Sequence, residues 1–220
     1  MPRMQILNSL EQQEFESPPL FNSAERKKFF EFPLAITEIV ASLTTPTNKV
    51  CFLLLVGYFR ASKRFFFRQS QPNDIAYLAA SLGIEPEVIS ISTYAKETYG
   101  RHRRLILDFY GFREFDNLAQ TLIRQQISSM VCCQLKPKLI FFHIVDLLSS
   151  QKVQVPGYHL LSSLVMEQIK AYKQTIIKNL EAHITESGKQ LLDDLLERAV
   201  VDAVSQTHRY RLTLLKKFPQ

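Results

Sequence analysis

The chain has 220 residues, 46% of them apolar, with a net charge of +6 and a pI near 9.2. That length suits one large or two small domains with a substantial core. Six glycines and no tryptophan argue against a turn-rich β-sandwich or a glycine-dependent nucleotide fold, and three cysteines without a C-x-x-C pair indicate neither a disulfide framework nor a zinc site.

In chain order the elements read as helices. Asn8 and Ser9 cap a short helix that "SPP" at Ser17 ends. Asn22 and Glu25 have capping-box spacing ahead of "AERKKFFEF". "PLAITEIVASL" follows, then the apolar segment Lys49 to Arg64. Its run "VCFLLLVGYF" covers ten residues, where a membrane span needs about 20, so a buried helix is expected and no membrane association. No signal peptide opens the chain, and the reading is cytoplasmic.

"NDIAYLAASLGIEPEVISIS" carries the spacing of a helix-turn-helix. Ala79 allows close helix approach, Gly83 supplies a positive φ, and Ile84 and Ile89 pack a second helix from Pro86 onto the first. That second helix begins among Glu85 and Glu87, poor chemistry for a phosphate-lined groove.

The cations follow in "STYAKETYGRHRRLILDFY", expected to be a helix capped at Ser92 or Thr93 and stopped by Gly111. Lys96, Tyr99 and Arg103 share one face, Arg101, His102 and Arg104 fan around an exposed arc, and Leu105, Ile106, Phe109 and Tyr110 turn to the core. Upstream, Arg60, Lys63, Arg64 and Arg68 interleave with Tyr58, Phe59, Phe65, Phe66 and Phe67. Aromatics between cations suit base stacking, but at helical spacing most belong to a core. Residues 49–104 hold nine basic and four acidic groups, so the positive excess is concentrated here and favours an anionic partner.

Asp116 caps "NLAQTLIRQQISSMVCCQL" and Pro137 begins "PKLIFFHIVDLLSS". The connector "QKVQVPGYH" leads to a helix from Tyr158 to Ile184, ~40 Å long at 1.5 Å per residue. "GKQLLDDLLERAVVDAVS" reads as a last helix before the tail "RYRLTLLKKFPQ". The expectation is an all-α chain with helical lobes at 1–150 and 151–220. No catalytic motif appears, and His143, His159 and His183 stand alone, so no metal site is expected.

Taken together, "LNSLEQQEFESPPLFNSAERKKFFEFP", "NKVCFLLLVGYFRASKRFF", "DIAYLAASLGI", "RHRRLILDFYGFREF" and "KVQVPGYHLLSSLV" resemble, in this order, the N-terminal region of replicative bacterial transposases of the class II, or Tn-three, family. The resemblance implies a module that binds double-stranded DNA at terminal inverted repeats, with Lys63, Arg64, Arg68, Lys96, Arg101, His102, Arg103 and Arg104 as the candidate contacts. It also implies a magnesium-dependent catalytic domain further along such proteins. None of its carboxylates is carried over to this chain, so no cofactor and no activity of the chain alone are expected, and the ending reads as a truncation. The second reading is a helical interaction module, a homodimer formed through the Tyr158 to Ile184 helix with incidental basic charge.

Overall fold

A computed structural model describes residues 5–196, 198–202 and 207–210, with side chains through residue 196. The fold is all-α. Two compact units divide the chain, Met1–Ile169 and Lys170–Gln220.

Short helices α1 (Ser9–Glu16) and α2 (Ser23–Phe29) open the first unit. Each begins with a reciprocal capping box, Asn8 with Glu11 and Asn22 with Glu25, which satisfies two otherwise orphaned N–H groups per helix. After α3 (Leu34–Ser42) comes α4 (Pro46–Ser62), the axis of the unit, with ten consecutive buried residues from Val50 to Phe59. A helix apolar on every side has to be enclosed, and α2, α3, α5 (Pro72–Leu82) and α6 (Lys96–Tyr110) all pack on it. Gly57 permits one of these approaches: the Phe30 ring lies where a side chain at position 57 would begin.

Gly83 ends α5 at φ +65°, with the Ile84 N–H donating to the Ala79 carbonyl, and Ala79 is fully buried. No α-helix begins at Pro86. Pro86–Val88 and Ile91–Thr93 form only single 3₁₀ turns, so the helix-turn-helix expectation is corrected to a helix followed by two turns. The run Val88, Ile89, Ser90, Ile91, Ser92, Thr93 explains it: β-branched side chains lose χ1 freedom in a helix, and serine hydroxyls compete for backbone groups. The Thr93 hydroxyl does so, donating to the Ser90 carbonyl. Accordingly Ala95, not Ser92 or Thr93, stands at the start of α6 and offers no side-chain cap.

α7 (Asn117–Cys132) is capped by Asp116, whose carboxylate accepts from the Ala119 N–H and is held below its usual range by that bond and by Arg113. It packs on α8 (Pro137–Ser150) through a stripe of Ile123, Ile127, Ile140, Phe141 and Ile144. The connector beyond α8 folds back into the first unit, where Val153 and Val155 are buried and Val153 bridges to Arg113. Long helix α9 (Tyr158–His183) then begins, with Leu161, Leu164 and Val165 buried.

Helix α1 is seated by the far end of the unit. Phe15 meets the Phe141 ring edge-on at 5.1 Å, Lys138 pairs with Glu11, and the Leu7 N–H points at the Tyr158 hydroxyl.

In the second unit α10 (Glu186–Leu196) is followed by an antiparallel pair, β1 (Arg198–Asp202) with β2 (Thr207–Tyr210). The helix expected to run on to Ser205 therefore ends at Leu196. The valine pair Val200 and Val201 favours the extended form. Residues 203–206 and the tail 211–220 lie outside the described residues.

Candidate nucleic-acid interface

The cationic residues singled out in the sequence divide into those the fold consumes and those it leaves facing outward. Arg64 is consumed. Its guanidinium stacks on Phe15 with the central carbon 3.8 Å from the ring centroid and lies 5.1 Å from that of Phe66; burial lowers its pKa to about 10. Arg68, at φ +55°, is exposed, but its Nε donates to the Tyr94 carbonyl at 3.0 Å and its guanidinium covers Phe67. Arg103 pairs with Glu114 at 2.8 Å and approaches Phe65.

His102 corrects the expected exposed arc, for it is completely buried. Its Nδ1 shares a 2.6 Å hydrogen bond with the Tyr94 hydroxyl, and its ring lies 5.1 Å from Phe52. Desolvation, reinforced by the neighbouring Arg101, pushes its pKa down to about 4, so it is neutral at pH 7 and unavailable to a phosphate. Tyr99, His102, Ile106 and Tyr110 recur at intervals of three and four and form the inward stripe, joined by Leu107; Leu105 and Phe109, expected in the core, are 38% and 39% exposed. The signal was present in that spacing, but the surrounding arginines masked it.

Lys96, Arg101 and Arg104 remain exposed, and no carboxylate among the described residues lies within ion-pair distance of them. Glu97 and Asp108 occupy the same arc at i, i+4 spacing from Arg101 and Arg104 and partly offset them.

A denser cationic group sits at the C-terminal end of α4. Lys63 ends the helix at φ +56°, and its Nζ donates to the Arg60 carbonyl at 2.7 Å. Arg60 is tied to the Phe29 and Glu31 carbonyls. Lys152, just past α8 and also left-handed at φ +55°, was not among the sequence candidates. Both lysine ammonium groups face Phe112, at 5.9 and 4.9 Å from its centroid. Partial burial, then the charges of Lys152 and Arg60, lower the Lys63 pKa. Phe112 itself packs edge-on against Phe59 at 5.0 Å, which stacks on Phe65 at 4.8 Å. The interleaved aromatics thus serve mainly as core and as a platform for cations: Tyr58, Phe59 and Phe66 are buried, Phe65 and Phe67 half-buried.

The chemistry available is electrostatic. Among the described residues no cluster of three or more histidine, cysteine or acidic side chains could hold a metal ion. Cys51 is buried and its thiol is pushed up to about 12 by desolvation, which suppresses the reactive thiolate. No single helix among the described residues is long and apolar enough to cross a membrane.

None of the curated proteins matches the chain. The model of one family, described as "Domain of unknown function (DUF4158)" and associated with transposase-like proteins, matches residues 6–168, nearly the whole first unit. The chain belongs to that family.

Proposed function

We propose that the chain is a DNA-binding N-terminal part of a transposase of the Tn-three kind, engaging the terminal inverted repeats of its element through the outward cations of the first unit. The observation that carries this reading is the division of α6: one side is locked by the buried Tyr94–His102 pair, while Arg101 and Arg104 stand on the other without a carboxylate partner. A helix already fixed by its buried face presents these guanidinium groups to phosphate oxygens without a further cost of backbone ordering, and only the side chains have to be ordered. Membership in a family associated with transposase-like proteins and the overall charge of +6 support it. The two 3₁₀ turns after Gly83 leave that segment without a recognition helix, so base reading falls to another element.

The test is binding of the purified chain to labelled duplex from the ends of the element that encodes it, against scrambled duplex, across a salt series. Tighter binding to the ends with a steep salt dependence supports the reading, since 6 to 10 phosphate contacts cost about 10³ to 10⁵ in affinity between 50 and 200 mM salt. Equal, weak and salt-insensitive binding to both overturns it.

A further inference from the structure

We infer that Lys63 and Lys152, with Arg60 behind them, form a phosphate-binding subsite over the Phe112 ring, at the convergence of the α4 and α8 C-termini. The inference rests on the nucleic-acid reading for the source of its ligand, a backbone phosphodiester, but not for its chemistry.

Three cations meet here without a carboxylate among the described residues in ion-pair reach. The competing explanation is that the lysines merely neutralise two helix ends. Arg60 is engaged by the Phe29 and Glu31 carbonyls, at and just past the end of α2, so three helix ends face the three cations. At roughly half a negative charge each they offset about one and a half positive charges and leave a net of about one and a half.

The Leu147, Leu148 and Ser149 carbonyls at the end of α8 are also satisfied without the Lys152 ammonium. The Val153 N–H donates to Leu148, the Lys152 N–H to Ser149, and the Gln151 N–H and Ser150 hydroxyl to Leu147. Beyond facing Phe112, that ammonium has no hydrogen-bond acceptor among the described residues.

Backbone conformation points the same way. Lysine is a poor choice for a left-handed position, where glycine or asparagine is less strained, yet both residues are left-handed. Their placement is built in: the Val155 N–H donates to the Lys63 carbonyl at 3.0 Å, and the Arg113 N–H to the Lys152 carbonyl at 2.9 Å. Exposed Lys152 and half-buried Lys63 remain open to a ligand on the solvent side.

The test uses Lys63→Asn/Lys152→Asn, which removes both charges while suiting the left-handed backbone, and Lys152→Gln alone, which removes the ammonium that no structural bond employs. Anisotropy with labelled duplex DNA across a salt series, and calorimetry with inorganic phosphate and pyrophosphate, are read beside the thermal midpoint. The subsite requires a midpoint near that of the parent chain and a salt slope reduced by about 1.8 for the double variant and about 0.9 for the single. If the double variant unfolds, the single variant decides alone by the same slope. Parent binding to DNA with unchanged slopes in both variants overturns the subsite and leaves DNA binding standing. Lysine-dependent binding of inorganic phosphate or pyrophosphate without DNA binding retains the subsite for a free phosphate and removes the nucleic-acid reading. Binding of neither ligand by the parent chain overturns both.

Discussion

The Arg26 Nε donates to the Asp74 carboxylate at 2.7 Å, joining α2 to α5 across 48 residues of sequence, and Asp74 is completely buried. The other carboxylate oxygen accepts from the Tyr58 hydroxyl at 2.9 Å, and that hydroxyl accepts from the Gln71 N–H. A single acid thereby ties three helices. Arg26→Ala leaves a buried carboxylate without its cation and is expected to cost about 3 kcal/mol, the lower part of the range for breaking a buried pair, because the arginine side chain is 17% exposed. Urea denaturation followed by circular dichroism measures it; a loss under about 1 kcal/mol would place the pair among surface ion pairs.

Gly57→Ala puts a methyl group 2.1 Å from Phe30 Cε1. The ring cannot yield freely, since it also packs on Phe21, Tyr58 and Tyr77. Overpacking of this kind costs about 1–3 kcal/mol. The double variant Gly57→Ala/Phe30→Leu should lose less than the two single losses combined, and a double-mutant cycle in urea reads that coupling.

The buried His102 gives the first unit a one-sided acid sensitivity. Its folded pKa of about 4 lies below the ordinary value of 6.5, so the unfolded chain binds the proton more readily. This contribution to stability is fully present above about pH 6.5 and is lost as pH falls from there towards 4. Thermal midpoints should fall across that window. The His102 imidazole resonances should stay in their neutral position from pH 7.5 down to 5.5, and titration of this ring near 6.5 by NMR would contradict the burial.

DNA affinity should separate the arginines of α6. Arg101→Ala/Arg104→Ala is expected to weaken binding to all duplexes and flatten the salt slope by about 1.8, roughly 0.9 for each lost phosphate contact. Arg103→Ala should leave the slope alone and act on stability instead, by up to about 1 kcal/mol, because its guanidinium already pairs with Glu114. Equal slope changes for the paired and unpaired arginines would show that the Glu114 bond opens on binding.

What could be read from the sequence was local. Asn8, Asn22 and Asp116 as caps, Gly111 as a left-handed stop and the enclosure of Val50–Phe59 all follow from residues within a turn or two of one another. What escaped was long-range or a contest between near-equal propensities. Arg64 looks like a free cation until Phe15 arrives from 49 residues upstream, and nothing near position 63 announces Lys152. The segment after Gly83 has a good helix stop and a good restart at Pro86, but the β-branched residues beyond it tip the balance to 3₁₀ turns.

The seating of α1 has a consequence for synthesis. Its partners Lys138, Phe141 and Tyr158 are made more than 120 residues after Phe15. At about 5–20 residues per second, α1 waits roughly 7 to 30 s for its dock to leave the ribosome. In that interval Phe15 lacks the Phe141 ring, and the Arg64 guanidinium, made 49 residues after it, is available to cover it. Helix α1 is therefore made well before its dock and closes the unit as a clasp closes on its far end.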